Sequence, residues 1–303
     1  MKTTPIIIVS SICLLIILLS SCKEVVQSEF PDVEKTPVVN SILKSDSTLI
    51  INLSYSASLN FGKIEYIKNA TIRFFVDDNL EETISNAEDG MYISNITIAS
   101  GKKYNCEIDI PGYEMITCEA IIPLRAKIIN ITHKNFAYTD AEGTIFPAVV
   151  LTFENNINTS EYFEIVIKAL RKNWEGEERN IYAWLVGIDD PVIINEGLPI
   201  AVFSDELITD SIYTMSLNYF TGGSSGNTAD TYPYIVELRS INYDYYKYLK
   251  QLYLFKQAVN SDNLTGSTPP VQIYSNVENG YGIFAGYSNF ISDTIFPENS
   301  QTY

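Results

Sequence analysis

The sequence is short of almost everything from which a catalytic or nucleic-acid-binding site is usually assembled. It has one histidine and four cysteines in 303 residues. A single imidazole, His133, cannot build a histidine-rich zinc site and reads as a satisfied surface side chain; no cysteine has a partner at metal-ligand spacing. Positive charge is scarce as well: 20 Lys and Arg stand against 37 Asp and Glu, a formal charge of -17. Binding a phosphate backbone needs clustered cations, so nucleic acid is excluded as a partner. Acidity on this scale reads as solubility. The pairs Asp77-Asp78, Glu177-Glu178 and Asp189-Asp190 lack the glycine-centred pattern of a calcium loop, and no metal or cofactor is expected. Gly222-Gly223-Ser224-Ser225-Gly226 matches a nucleophile elbow in letters only. No helix follows it and the one histidine precedes it, so a flexible loop is expected and no catalytic residue is assigned.

Long apolar runs are scarce too. One exists, from Ile6 to Leu19, preceded by Lys2 and shorter than the roughly 20 residues of a membrane-spanning helix. This is the pattern of a signal peptide over residues 1–21. Leu19-Ser20-Ser21-Cys22 resembles the lipobox of bacterial lipoproteins, in which the cysteine is lipidated and becomes the mature N-terminus. Cys22 is therefore the expected lipid anchor to a membrane, and residues 22–35, polar and containing Pro31, the expected tether. Lys23-Glu24 resembles part of the acidic signal that sends some such lipoproteins to the outer face of the outer membrane, which points to the cell surface over the periplasmic face.

What is abundant is β-forming. Val, Ile, Thr, Tyr and Phe dominate, with 21 tyrosines alone, and the fold class expected is mainly β. Two tandem β-sandwich units are expected, immunoglobulin-like or carboxypeptidase-regulatory-like in character, the second with one inserted α-helix. The first, over residues 36–124, has strand patterns at Pro37–Leu43, Leu49–Tyr55, Ala70–Val76, Met91–Ile98, Tyr104–Asp109 and Met115–Ala120. Gly101-Lys102-Lys103-Tyr104 resembles the corner at which a tyrosine hydroxyl caps the backbone. The second, over residues 125–303, has strands at Lys127–Thr132, Ala148–Phe153, Tyr162–Ala169, Tyr182–Val186, Ile212–Tyr219, Tyr234–Leu238 and Gly282–Ser288.

Two local patterns carry more specific expectations. Pro111-Gly112-Tyr113 turns a hairpin that sets Cys106 opposite Cys118, within disulfide reach in an oxidising compartment; two buried free thiols are the other outcome. Residues 241–259 have helical period, with Ser240 or Asn242 as N-cap. Tyr245, Tyr248, Leu252, Phe255 and Val259 form the stripe expected to pack on the second sheet. Tyr243, Tyr246 and Tyr253 fall on its flanks, where a ring with a polar tip suits contact with a partner. The alternative is a helix exposed for a partner along its length.

Pro37-Val38-Val39-Asn40, Val236-Glu237-Leu238 running into the tyrosine-rich helix, and above all Ser275-Asn276-Val277-Glu278-Asn279-Gly280-Tyr281-Gly282-Ile283-Phe284-Ala285-Gly286 resemble the Bacteroidota lipoproteins filed as domain of unknown function 4249. The resemblance spans nearly the whole mature chain and its motifs are structural. It implies a non-enzymatic accessory or binding role at the outer membrane, beside a TonB-dependent β-barrel transporter or similar complex. A surface adhesion or structural module without a transport role is the alternative, and a hydrolase has little support.

Overall fold

The computed structural model describes residues 34–57, 63–172, 175–265 and 271–298. The expected signal peptide, the lipid site Cys22 and the tether up to residue 33 lie outside the described residues. Every helix and strand described belongs to one compact unit, Lys35–Ser56 with Ile64–Tyr303. The second unit, Met1–Glu34 with Ala57–Lys63, has no helix or strand among its described residues.

The chain is mainly β. Its first half supplies β1 (Pro37–Lys44), β2 (Thr48–Tyr55), β3 (Thr71–Val76), β4 (Asn79–Ile84), β5 (Ala87–Glu88), β6 (Met91–Thr97), β7 (Lys103–Asp109) and β8 (Ile116–Ile121). The second half supplies β9 (Ile128–Thr139), β10 (Ile145–Glu154), β11 (Tyr162–Ala169), β12 (Ile181–Tyr182), β13 (Trp184–Leu185) and a one-and-a-half-turn helix α1 (Pro191–Glu196). Then come β14 (Val202–Ser204), β15 (Ile212–Phe220), β16 (Ser224–Ser225), β17 (Thr228–Ala229), β18 (Tyr234–Ile241), the long helix α2 (Tyr243–Thr265) and β19 (Tyr281–Ile291).

Among the described residues these strands form three sheets. The largest runs β12-β11-β18-β19-β1-β2-β6-β5, with β14 also on β11; a six-stranded sheet holds β13, β15, β10, β17, β16 and β9; a four-stranded sheet runs β4-β3-β7-β8. Alternation sets the layers. Along β11, Phe163, Ile165, Ile167 and Ala169 are buried while Tyr162, Glu164, Val166 and Lys168 are half-buried on the other face. One core joins Val39, Leu43 and Ile51 of the large sheet to Ile72, Phe74 and Ile108 of the four-stranded sheet. A second joins Phe163, Ile165 and Val236 to Val149, Leu151 and Met215 of the six-stranded sheet. These are two face-to-face sandwiches sharing one sheet.

The shared sheet depends on β19, which pairs antiparallel with β18 and parallel with β1 from Val38↔Tyr281 to Lys44↔Tyr287. Phe284 enters the first core and Phe290 packs against the second, so both cores sit on one face of the sheet. Ile283 and Ala285 point the other way and meet Ile241 and Tyr245 at the start of α2. The helix therefore covers the opposite face.

The segment that carried the family resemblance is a clasp around β19. Asn276 Nδ2 donates to the Phe284 carbonyl at 2.8 Å while its Oδ1 accepts the Phe284 N–H at 2.9 Å. Ser275 Oγ accepts the Gly282 N–H, Asn279 Nδ2 donates to the Met115 carbonyl, and Thr117 and Glu278 exchange backbone bonds. Val277 is buried in the first core. Gly282, at φ +117°, lies so close to β1 that a Cβ would fall 1.9 Å from the Val39 carbonyl oxygen. Only glycine fits there.

The corner expected at Tyr104 is present: its hydroxyl accepts the Ala99 N–H at 2.6 Å. Cys106 and Cys118 face each other in the β7–β8 register as expected, but both are free, buried thiols. They sit among the apolar side chains of the first core, where burial pushes the Cys106 thiol well up and its hydrogen bond to Cys118 adds to the shift. The Gly222–Gly226 stretch, expected as a loop, supplies β16, the first strand of a small hairpin with β17.

Candidate functional site

Helix α2 begins as a designed-looking cap. Asn242 Oδ1 accepts the Tyr245 N–H at 3.1 Å and the Asn242 backbone N–H donates to the Gly286 carbonyl, so one residue starts the helix and ties it to β19. Tyr245 is buried, and Tyr246, Tyr248 and Leu249 pack partly buried around it. The expected core stripe does not continue. Phe255 is 36% exposed and Val259 50%, with Leu254, next to Phe255, at 42%. A helix of 23 residues is about 34 Å long, and among its residues with described burial the first three turns press on the sheet while Leu254 to Gln257 are exposed; the expectation that Phe255 and Val259 are core is corrected on that ground.

Beside the start of α2 lies a cleft of about 700 Å³, lined by Tyr162, Ser204, Asp205, Glu206, Tyr243, Tyr246, Lys247 and Lys250 among others. Its wall is set by α1. Asp190 caps that helix by accepting the Val192 N–H, Pro191 follows at the first turn, and Gly197 ends it in the left-handed region. Asp189-Asp190, weighed in the sequence only as a cation site, thus supplies a cap. The signal for α1 was present in Asp-Pro followed by Glu196-Gly197.

At the end of α1 the Glu196 side chain is 3% exposed and fully engaged. Oε1 accepts the Ser204 N–H at 2.7 Å and its hydroxyl at 3.1 Å; Oε2 accepts the Tyr246 hydroxyl and the Lys250 ammonium, the latter at 2.7 Å. Burial alone would raise the carboxyl, but the bonds from Lys250, Tyr246 and Ser204 outweigh it and hold Glu196 below its ordinary value. Lys250 also touches the Tyr246 hydroxyl at 3.1 Å, and Tyr162, Tyr243 and Tyr246 form an aromatic group with centroids 4.9 to 6.3 Å apart.

A second cleft of about 650 Å³ lies further along α2, lined by Tyr182, Trp184, Leu252, Tyr253 and Lys256, with Glu164 and Arg239 at its floor. Arg239 bridges Glu164 and Glu237, each at 2.8 Å, and its guanidinium lies 4.8 Å over the Tyr287 ring. Desolvation pulls against the charge on Arg239, but the bond to Glu237 and the field of Glu164 hold it raised; burial raises Glu164.

Of the three flank tyrosines, Tyr243 and Tyr246 meet in the first cleft and Tyr253 lines the second. His133 is not a surface side chain: it is half-buried between Tyr219 and Tyr234, with Nδ1 3.1 Å from the Tyr234 hydroxyl, and burial lowers its pKa. β9 carries it inward because His133 pairs with Val149 in register with the core. Among the described residues no group of three or more His, Cys, Asp and Glu side chains is placed to hold a metal ion.

No curated protein matches this chain. The resemblance read from the clasp and the capped helix does extend to a family model: residues 23–290 match the family described as Domain of unknown function (DUF4249), and the chain belongs to that family.

Proposed function

We propose that the protein is a lipid-anchored, non-enzymatic accessory of an outer-membrane complex, presenting the distal half of α2 to a protein partner. The observation that carries the reading is the exposure of Leu254 and Phe255 on a helix whose first half is firmly seated. A helix with a rigid base and uncovered apolar residues further along suits docking in a hydrophobic groove. Tyr253, half-buried beside them, adds an aromatic anchor of the kind enriched at interfaces. The anchor rests on Leu19-Ser20-Ser21-Cys22, and the partner, a TonB-dependent β-barrel transporter, on what the family resemblance implies. Cell-surface exposure follows from Lys23-Glu24 in the same way.

The test is a mild-detergent pull-down from native membranes with mass spectrometry. Wild type should recover a β-barrel, the Leu254→Ser/Phe255→Ser variant should lose it, and Cys22→Ala should leave the membrane fraction. Unchanged recovery by the double variant overturns the docking role of α2, and unchanged fractionation of Cys22→Ala overturns the anchor.

A further inference from the structure

We infer that the cleft at the start of α2 binds a zwitterionic ligand of peptide chemistry, with its carboxylate toward Lys247 and Lys250 and its ammonium toward Asp205 and Glu206. Four observations carry this. The cleft, about 700 Å³, is within the roughly 300–1,000 Å³ range of small-ligand sites. Its uncompensated charges are segregated: Glu196 also lines the cleft and already pairs with Lys250, and Asp205 already accepts the Glu161 N–H, which leaves Lys247 on α2 and Glu206, in the segment after β14, as the free charges of opposite sign. Lys250 is pre-oriented, because Glu196 and Tyr246 hold two of its three donors and leave one for a ligand. Lys247 and Glu206 are uncommitted. The close partners of Lys247 are the Tyr243 and Tyr274 rings, at 5.6 and 5.9 Å, and neither residue joins an ion pair among the described residues.

The segregation selects the ligand. A polyanion would meet Asp205 and Glu206, a dication would meet the lysines, and a neutral ligand would strip water from both sets without replacing it. A molecule with one charge of each sign compensates both walls. The Tyr162, Tyr243 and Tyr246 group between them offers ring faces and hydroxyls to an apolar or aromatic side chain. The site does not depend on the anchor, shares Leu254 with the distal docking surface, and can be tested without a partner protein.

The test is isothermal titration of the full chain in detergent with the tripeptide Ala-Phe-Ala, its N-acetylated form and its C-amidated form. The free peptide should bind, and either block should weaken binding at least tenfold. Lys247→Gln should weaken the free peptide but leave the amidated one unchanged; Glu206→Gln should do the same with respect to the acetylated one. Circular dichroism controls for folding, which neither side chain supports. Absence of binding by the free peptide, equal binding of blocked and free forms, or insensitivity to both variants overturns the inference. Binding of phosphoethanolamine in place of the peptide overturns the peptide assignment.

Discussion

Asn276 holds Phe284 by both atoms of its amide, donating to the carbonyl at 2.8 Å and accepting the N–H at 2.9 Å, as a neighbouring strand would. The clasp thereby completes the pairing of β19 at the point where it passes between the two cores. Replacing Asn276 with Ala leaves a part-buried N–H and C=O unpaired, and a loss of about 2–4 kcal/mol is expected from the urea midpoint. Asn276→Asp keeps the acceptor but sets a carboxylate oxygen against the Phe284 carbonyl, so it should lose at least as much at neutral pH.

Gly282→Ala should be far worse. The added Cβ would lie 1.9 Å from the Val39 carbonyl, with Val39 C and N also within 3.0 Å, so backbone must move. A loss above about 4 kcal/mol, or no soluble folded protein, is expected. Gly112, at φ +90° with nothing within 4 Å of its would-be Cβ, is the control; Gly112→Ala should cost only backbone strain, roughly 1–3 kcal/mol.

Asn276 and Gly282 lie in the segment that the sequence made most conspicuous, and the contrast with the rest is instructive. Period-2 alternation placed most of the main strands, and β11 matched end to end, because a strand buried on one face has to alternate. The β7–β8 register followed from its turn. No local pattern could show that β19 pairs in parallel with β1, since that contact joins chain ends through backbone alone. The cleft was illegible for the same reason: Glu196, Ser204 and Lys250 are brought together by three separate elements. The helix was legible as a helix, but its periodicity does not report where the sheet beneath it stops.

That last point changes the expectation for Phe255. At 36% exposed it fills no cavity, so Phe255→Ala should cost no more than about 1 kcal/mol of stability in urea titrations. Tyr245→Ala, at a buried position, should cost about 3–5 kcal/mol. Equal losses at the two sites would show that the distal half of α2 is packed after all.

Cys106 and Cys118 stand in register as free, buried thiols. Protein unfolded without reductant should show two alkylatable thiols by intact mass. Absence of both labels would show that the pair is joined by a disulfide instead. In the reduced protein, burial and the raised Cys106 pKa should make alkylation slow until the chain is unfolded.

Glu196 gives the clearest pH dependence. Its ordinary carboxyl pKa of 4.5 is raised by burial but lowered further by Lys250, Tyr246 and Ser204, so the folded value lies below the unfolded one. Its contribution to stability is then fully present above the unfolded pKa and is lost as pH falls through the folded pKa. For Lys250, burial lowers the pKa but the bonds to Glu196 and Tyr246 raise it above 10.5, so its contribution is present below that value and lost above it. Between those limits the pair should add a pH-independent increment. Glu164, Asp190 and Asp205 have folded values raised chiefly by burial, so their contributions run the opposite way in acid and persist in any variant of Glu196. The difference between wild type and Glu196→Gln therefore isolates one group. At about pH 7 the variant should be less stable by roughly 1–3 kcal/mol, because Lys250 loses its carboxylate but keeps enough exposure to turn toward water. That difference should shrink steadily as pH is lowered below about 4.5 in urea titrations. A difference that stays constant down to about pH 3 would mean that the carboxylate of Glu196 is not what holds Lys250 at the cleft.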